Sequence, residues 1–246
     1  MKHSLLSLCC LLILSACAVP PSSTHREGHA VKGEHASSLT LQDQSNDSEI
    51  AFTILEETSA FKNFGISHTK EMHLIVVRDD LQYFSHLHPT RDESGTWRVS
   101  YKTPAGGKYW LYADFVEQNQ SAHTILFERS YDGKTGTVGI AKNAETIKTL
   151  GGYRIELQTA KDGENVSFTY KITNTNGQPV QVEEYLGARG HSVLISMTGD
   201  FIHAHASEEG AHPVFTTTLP PGKFYRAFTQ FQIDGKVVTV NFDWLP

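Results

Sequence analysis

Cysteine is nearly absent: the 246 residues hold three, Cys9, Cys10 and Cys17, all of them close to the start. Beyond Cys17 no thiol remains, so neither a disulfide framework nor a thiolate metal site can form there. Methionine is equally scarce. Met72 and Met197 are the only two after Met1, which leaves few of the soft ligands that favour Cu(I). Lysine and arginine number 21 against 27 acidic residues, a net charge of −6, and no basic stripe interrupts that balance. Nucleic acid is therefore not expected as a partner. No Gly-x-Ser-x-Gly, His-Glu-x-x-His or phosphate-cradling glycine loop occurs, so no enzyme signature is expected either. After Leu14 no apolar run is long enough to cross a bilayer, and no long amphipathic helical period is found.

What is present begins with "MKHSLLSLCCLLILSACAVP". A basic start at Lys2, an apolar run from Leu5 to Leu14 and small residues around Cys17 make a secretory signal, too short for a comfortable permanent span. Leu14-Ser15-Ala16-Cys17 resembles the lipobox of bacterial lipoproteins, which implies removal of residues 1–16 and lipidation of Cys17. Ordinary cleavage after Ala18 is the competing reading, since Ala16-Cys17-Ala18 also fits the small-x-small rule. The lipobox reading places the protein in the cell envelope, attached to the membrane by lipid alone and facing the periplasm or the cell surface. Ala18, in place of Asp, resembles the outer-membrane sorting of Gram-negative bacteria. Residues 17–47 are polar and read as a flexible tether. Its His25, His29 and His35 are irregularly spaced and would at most collect metal loosely.

From there short runs rich in Val, Ile, Thr, Tyr and Phe alternate with Gly, Pro, Asn and Asp turns, the pattern of an all-β chain. The chain also repeats itself. "IAFTILEE" from Ile50 matches "VSFTYKIT" from Val166, "MHLIVV" from Met72 matches "GHSVLI" from Gly190, and "PAGGKYWLYADF" from Pro104 matches "PPGKFYRAFTQF" from Pro220. The order is kept at an offset of about 115 to 118 residues, which implies a duplicated domain. The expectation is two tandem immunoglobulin-like or cupredoxin-like β-sandwiches, residues 48–149 and 150–246. Together they are large enough for cores that need no covalent staple.

The duplication singles out six histidines among thirteen. His73, His86 and His88 in the first repeat correspond to His191, His203 and His205 in the second. A two-residue turn at Asp79-Asp80 would set His73 directly opposite His86, with His88 two residues further along on the same face. In the second repeat a three-residue loop Met197-Thr198-Gly199, with Gly199 left-handed, would pair Ser196 with Asp200 and set His191 opposite His205. A two-residue turn there would flip the parity and scatter the set. Three imidazoles converging on one patch can supply three nitrogens to one ion at about 2.0 to 2.1 Å. As a ligand arrangement this resembles the three-histidine zinc site of carbonic anhydrase. The alternatives are a solvated face, imidazoles that merely order a hairpin, or a cluster titrating near or below pH 6.5.

Imidazole suits Cu(II) and Zn(II), with copper higher in the Irving–Williams order and therefore first choice. Asp114 is a possible additional ligand, although Gln230 holds the matching place in the second repeat. Met72 adjoins His73 and should point to the opposite face, into the core. His123 aligns with Val238 and His212 has no clear partner in the other repeat; both are treated as peripheral, as is His68. Trp97, Trp110, Trp244, Tyr109, Tyr112, Phe115, Phe224 and Phe231 read as sandwich core. A zinc ion with an open position could generate hydroxide, but nothing specifies a substrate pocket.

"EMHLIVVRDDLQYFSHLHP" resembles a signature of secreted and lipoprotein bacterial domains commonly described as heavy-metal or copper binding. The resemblance runs from Met72 to Pro89 and on through Phe115, and again from Gly190 to Phe231. It implies a role in envelope metal homeostasis, beside other metal-handling proteins of the envelope. The second copy departs from it by ending "HAHA" without the proline, which bears on the occupancy of that site. The expected function is therefore sequestration or delivery of copper or zinc by a lipid-anchored protein. The alternative is a surface-tethered β-sandwich interaction or adhesion module whose histidines are incidental.

Overall fold

A computed structural model of the chain describes residues 29–30, 38–135 and 142–245. Cys17, the signal segment, His25 and His35 lie outside the described residues. The short strand β1 (His29–Ala30) comes first. The first sandwich follows as β2 (Leu39–Asp43), β3 (Glu49–Glu56), β4 (Ser59–Ala60), β5 (His73–Arg78), β6 (Phe84–Leu87), β7 (Thr90–Arg91), β8 (Thr96–Ser100), β9 (Gly107–Val116) and β10 (Ala122–Tyr131). The second is β11 (Ile147–Leu150), β12 (Tyr153–Asp162), β13 (Asn165–Asn174), β14 (His191–Ser196), β15 (Phe201–His205), β16 (Val214–Thr218), β17 (Tyr225–Ile233) and β18 (Lys236–Trp244). No helix occurs among the described residues.

The sheets repeat as the sequence does. In the first repeat β10-β9-β5-β6 faces β2-β3-β8-β7; in the second β18-β17-β14-β15 faces β11-β12-β13-β16, with β1 added at the edge of β15. The chain is thus an all-β pair of sandwiches. The first begins at Leu39 rather than Ser48, because Leu39 to Asp43 pair along β3, inside the range read as tether. Polar composition did not prevent pairing: Leu39 and Leu41 rest on the first core. At the junction β11 starts at Ile147 and pairs with β12, so Ile147 to Thr149 belong to the second sandwich.

Each sandwich has its own core. Ile50, Phe52, Leu74, Val76, Trp97 and Leu111 are fully buried in the first, and Ile155, Phe168, Tyr170, Leu194, Phe215 and Phe231 in the second. Met72 joins the first core, as its parity requires. A third apolar cluster lies between the repeats and accounts for the unbroken runs "HLIVVR" and "HSVLIS". Every residue of β5 and β14 is buried, so these strands are covered on both faces instead of alternating. Alternate residues Ile75, Val77, Val193 and Ile195 meet Trp110, Tyr112, Phe224 and Phe228 across the boundary. Trp110, Tyr112 and Phe224, expected in sandwich cores, belong to this interface instead.

The interface has the form of a pseudo-two-fold contact made twice, as an isologous dimer would make it. Phe84 of β6 stacks on Phe228 of β17, and Phe201 of β15 stacks on Tyr112 of β9, both at 4.7 Å between ring centroids. Arg226 donates to the Leu81 carbonyl at 2.9 Å, and the Tyr112 hydroxyl donates to the Gly199 carbonyl at the same distance. Leu81 and Gly199 are the tips of the two β-hairpins, so each hairpin tip is held by the other repeat.

Candidate metal centre

The hairpins place the histidines. In the second, the Ser196 amide donates to the Asp200 carbonyl, Gly199 takes φ 82, and His191 lies opposite His205, which is the expected register. The first differs. Its loop has four residues instead of two: the Arg78 amide donates to the Tyr83 carbonyl, and His86 opposes Ile75 rather than His73. Two groups hold the longer loop open. Asp80 accepts from Arg78 at 2.8 Å and from the Gln82 amide at 3.0 Å, and Leu81 turns into the apolar interface with φ 56. A slip of two residues preserves parity. His73, His86 and His88 still share the face that meets the other repeat.

His73, His86 and His88 offer ring nitrogens that all lie within 4.8 Å of one another. Their tautomers follow from the outer partners. His73 Nε2–H donates to the Ser67 carbonyl at 3.0 Å, so Nδ1 carries the lone pair. His86 Nδ1–H donates to Gln230 Oε1 at 2.9 Å, whose amide nitrogen donates on to Thr239, so the His86 lone pair is on Nε2. Those two lone-pair nitrogens, His73 Nδ1 and His86 Nε2, are 2.9 Å apart. At that distance the two nitrogens share a proton in an N–H···N bond or, with both lone pairs inward, need a cation between them. His88 completes the group, and its Nε2 is buried and without a hydrogen-bond partner.

The second repeat copies the scheme with one exchange. His191 Nε2–H donates to the Tyr185 carbonyl at 2.9 Å, leaving a buried, unpartnered Nδ1. His203 Nδ1–H donates to Asp114 Oδ2 at 2.8 Å, leaving Nε2 buried and unpartnered, as is Nε2 of His205. Asp114 and Gln230 thus act reciprocally: each pairs within its own sheet with the first histidine of its repeat and orients the His-x-His histidine of the other. Asp114, considered as an additional ligand, is instead an outer partner, hydrogen-bonded to His203 and to Thr124 and in neither group of converging ligand atoms. The nitrogens that come within 4.8 Å here belong to His68, His191 and His205. His203 lies at the centre of the whole cluster, 5.6 Å from both His73 and His191 and 5.7 Å from His86 between ring centroids. His123, by contrast, is bonded to Glu117 at 2.7 Å, and His212 lines a separate cleft with Arg189 and Tyr170.

Burial rules out a solvated face for the central rings. His73 is 2% exposed, His191 1% and His203 3%. Burial, with the neighbouring imidazoles, pushes His73 down to about 4 and His191 down to about 2, and holds His86 and His205 well below the usual value. Burial and Lys70 bring His88 to about 4. Burial alone would raise the Asp114 carboxyl, but the hydrogen bonds from His203 and Thr124 bring it below the ordinary carboxylate value. The linkage sign follows. A histidine at 6.5 unfolded and about 4 folded leaves the folded state with fewer protons between those values. Metal-free protein is expected to be most stable above pH 6.5 and to lose stability steadily toward pH 4. Denaturant midpoints measured across that range check this, and a flat profile would contradict it.

His68 was the residue that comparison of the repeats could not find. It aligns with Leu186, so no histidine stands at the copied position. The turn that positions His68, closed by backbone pairing of Ser67 with Lys70, is a feature of the structure that repeat comparison does not register.

Fold and site together define a class: tandem β-sandwiches whose sheets enclose a histidine cluster between them. The chain belongs to a family described as a domain of unknown function (DUF8832), which matches residues 29–132 and again 148–244. The two matched segments are the two sandwiches. Comparison with curated proteins finds no match. Among solved structures the chain is similar to a two-domain fibronectin type-III segment of chicken tenascin, at 11% identity over 84% of this chain and 98% of that one, TM-score 0.26. It is also similar to a tetra-tandem repeat in the extending region of a large adhesion protein, at 12% identity over 84% of this chain and 48% of that one, TM-score 0.29. The fibronectin(III)-like modules of Clostridium thermocellum CbhA align at 11% identity over 84% and 93%, TM-score 0.24.

Proposed function

We propose that the protein binds a transition-metal ion, Cu(II) or Zn(II), through histidines gathered between its two sandwiches, for sequestration or delivery in the cell envelope. One observation carries the reading: the ring nitrogens of His73, His86 and His88 lie within 4.8 Å of one another, with His73 Nδ1 and His86 Nε2 at 2.9 Å. Metal-ligating histidines typically donate their other N–H to a carbonyl, carboxylate or water, which sets the tautomer and ring orientation. Here Ser67, Gln230, Tyr185 and Asp114 supply those acceptors. An all-imidazole donor set without sulfur suits Cu(II) and Zn(II). His88 borders an open cleft of about 320 Å³ lined by Lys70, Glu71 and Arg91, which gives an ion an approach route. In this reading the protein is a binding protein rather than an enzyme. Lipidation at Cys17 would hold it at the membrane, where another metal-handling protein of the envelope could exchange ions with it.

Equilibrium dialysis of the chain lacking its first 17 residues against Zn(II) or Cu(II) tests this. Uptake is expected in the wild type, and affinity at the first set is expected to fall at least about 100-fold in His86→Ala, since one ligand and its orienting bond are both lost. No uptake by the folded wild type would sink the proposal and leave the interaction-module reading in its place.

A further inference from the structure

We infer that the two histidine sets form one two-ion centre between the repeats, with His68 of the first repeat as a ligand to the ion held by His191 and His205 of the second. The inference rests on the metal reading above and extends it to a site whose ligands come from both halves of the chain.

His68 reaches the second repeat directly. Its ring stacks on His205 at 3.5 Å between centroids and meets His191 edge-on at 5.3 Å. The turn that carries it is strained: His68 takes φ 46 and Thr69 φ 67. In the second repeat the equivalent turn, closed by pairing of Tyr185 with Ala188, has Leu186 at φ 52 and Gly187 at φ 74. A β-branched residue at positive φ is an outlier, and the copy avoids it with glycine. Such strain persists where the surroundings hold it, often at ligand clamps. The two turns touch, since a Cβ on Gly187 would lie 3.6 Å from Thr69 Cγ2. His68 therefore sits on the pseudo-two-fold boundary instead of on the outer surface of its own sandwich.

The sets are also adjacent. The rings of His73 and His191 are 6.3 Å apart and those of His86 and His191 5.9 Å apart, and His203 contacts both sets. His203 Nε2 is buried and unpartnered between them, which places a further donor where the two ions would come closest. Asp114 brings a carboxylate to the cluster, through His203. Repulsion between two divalent ions held this close by neutral imidazoles makes the two binding steps separable, with the second weaker.

The test uses the chain without its first 17 residues, with Cu(II) alone as the probe. Wild-type protein is expected to take up two ions. At one equivalent the paramagnetic resonance spectrum should show an isolated copper, and at two equivalents the signal should broaden or lose intensity through coupling. His68→Leu, which installs the residue of the copied turn, is expected to take up one ion and to keep the isolated-copper spectrum. His68→Asn, a smaller polar change, should behave the same way and guards against a folding defect in the first variant. Two ions bound to both variants with unchanged affinity would overturn the role of His68. Uncoupled coppers at full loading, or a single ion in wild type, would overturn the two-ion centre while leaving the metal reading intact. Absence of any uptake by wild type would overturn both.

Discussion

Saturation with Zn(II) is expected to raise the unfolding free energy by about 4 kcal/mol per site when free ion stands about 1,000-fold above its dissociation constant. A bound ion would require the imidazoles to be gathered, and the unfolded chain scatters them. For a folded region of roughly 200 residues, that gain corresponds to a rise in the thermal midpoint of about 8 to 16 °C per site, at about 2 to 4 °C per kcal/mol. The bonds that orient His86 and His203 run from one repeat to the other, so the gain should appear as tighter coupling of the two sandwiches. Calorimetry with and without Zn(II), then after chelator, measures it. A midpoint that does not move with the ion would mean that the imidazoles hold no metal in the folded state.

A carboxylate placed in the apolar boundary should cost about as much as one bound ion would contribute. Val193→Asp is expected to destabilise the chain by about 3 to 5 kcal/mol, the penalty for an uncompensated buried charge. Val193 is 1% exposed and packs in the cluster between the repeats, not in either sandwich core. The fully buried Ile75 occupies the matching position in the first repeat, and Ile75→Asp should cost a similar amount. Because each sandwich keeps its own core, the expected consequence is separation of the repeats before either unfolds. Denaturant titration should then show two transitions, with a larger radius of gyration by solution scattering and with loss of metal uptake. A single transition at the wild-type midpoint would show that the cluster contributes little to holding the halves together.

Much of the architecture was readable in the chain because local chemistry decides it. Alternating apolar residues and Gly, Pro and Asn turns specify strands, and internal matches reveal the duplication without reference to fold. The second hairpin followed from Gly199, whose freedom at φ 82 suits the three-residue loop and so fixes His191 opposite His205. The first hairpin is longer than its Asp79-Asp80 pair suggests, by two residues of register. Asp79-Asp80 is a plausible short turn by itself, and only the ion pair of Asp80 with Arg78 and the burial of Leu81 against the other repeat lengthen it. The strand near Leu39 was hidden by polar neighbours that tolerate a sheet edge.

The sequence alone determined the all-β class, the two repeats, the absence of thiols beyond Cys17 and six of the seven histidines in the cluster. Those properties depend on periodicity, composition and comparison of a chain with itself. Only the tertiary structure decided that the histidines face each other across the repeats, that Asp114 and Gln230 exchange partners between the halves, and that His68 joins the second set. Neither strand periodicity nor repeat alignment encodes which outer faces meet. That choice is made when two sheets, each apolar on both sides, bury their remaining surface against one another.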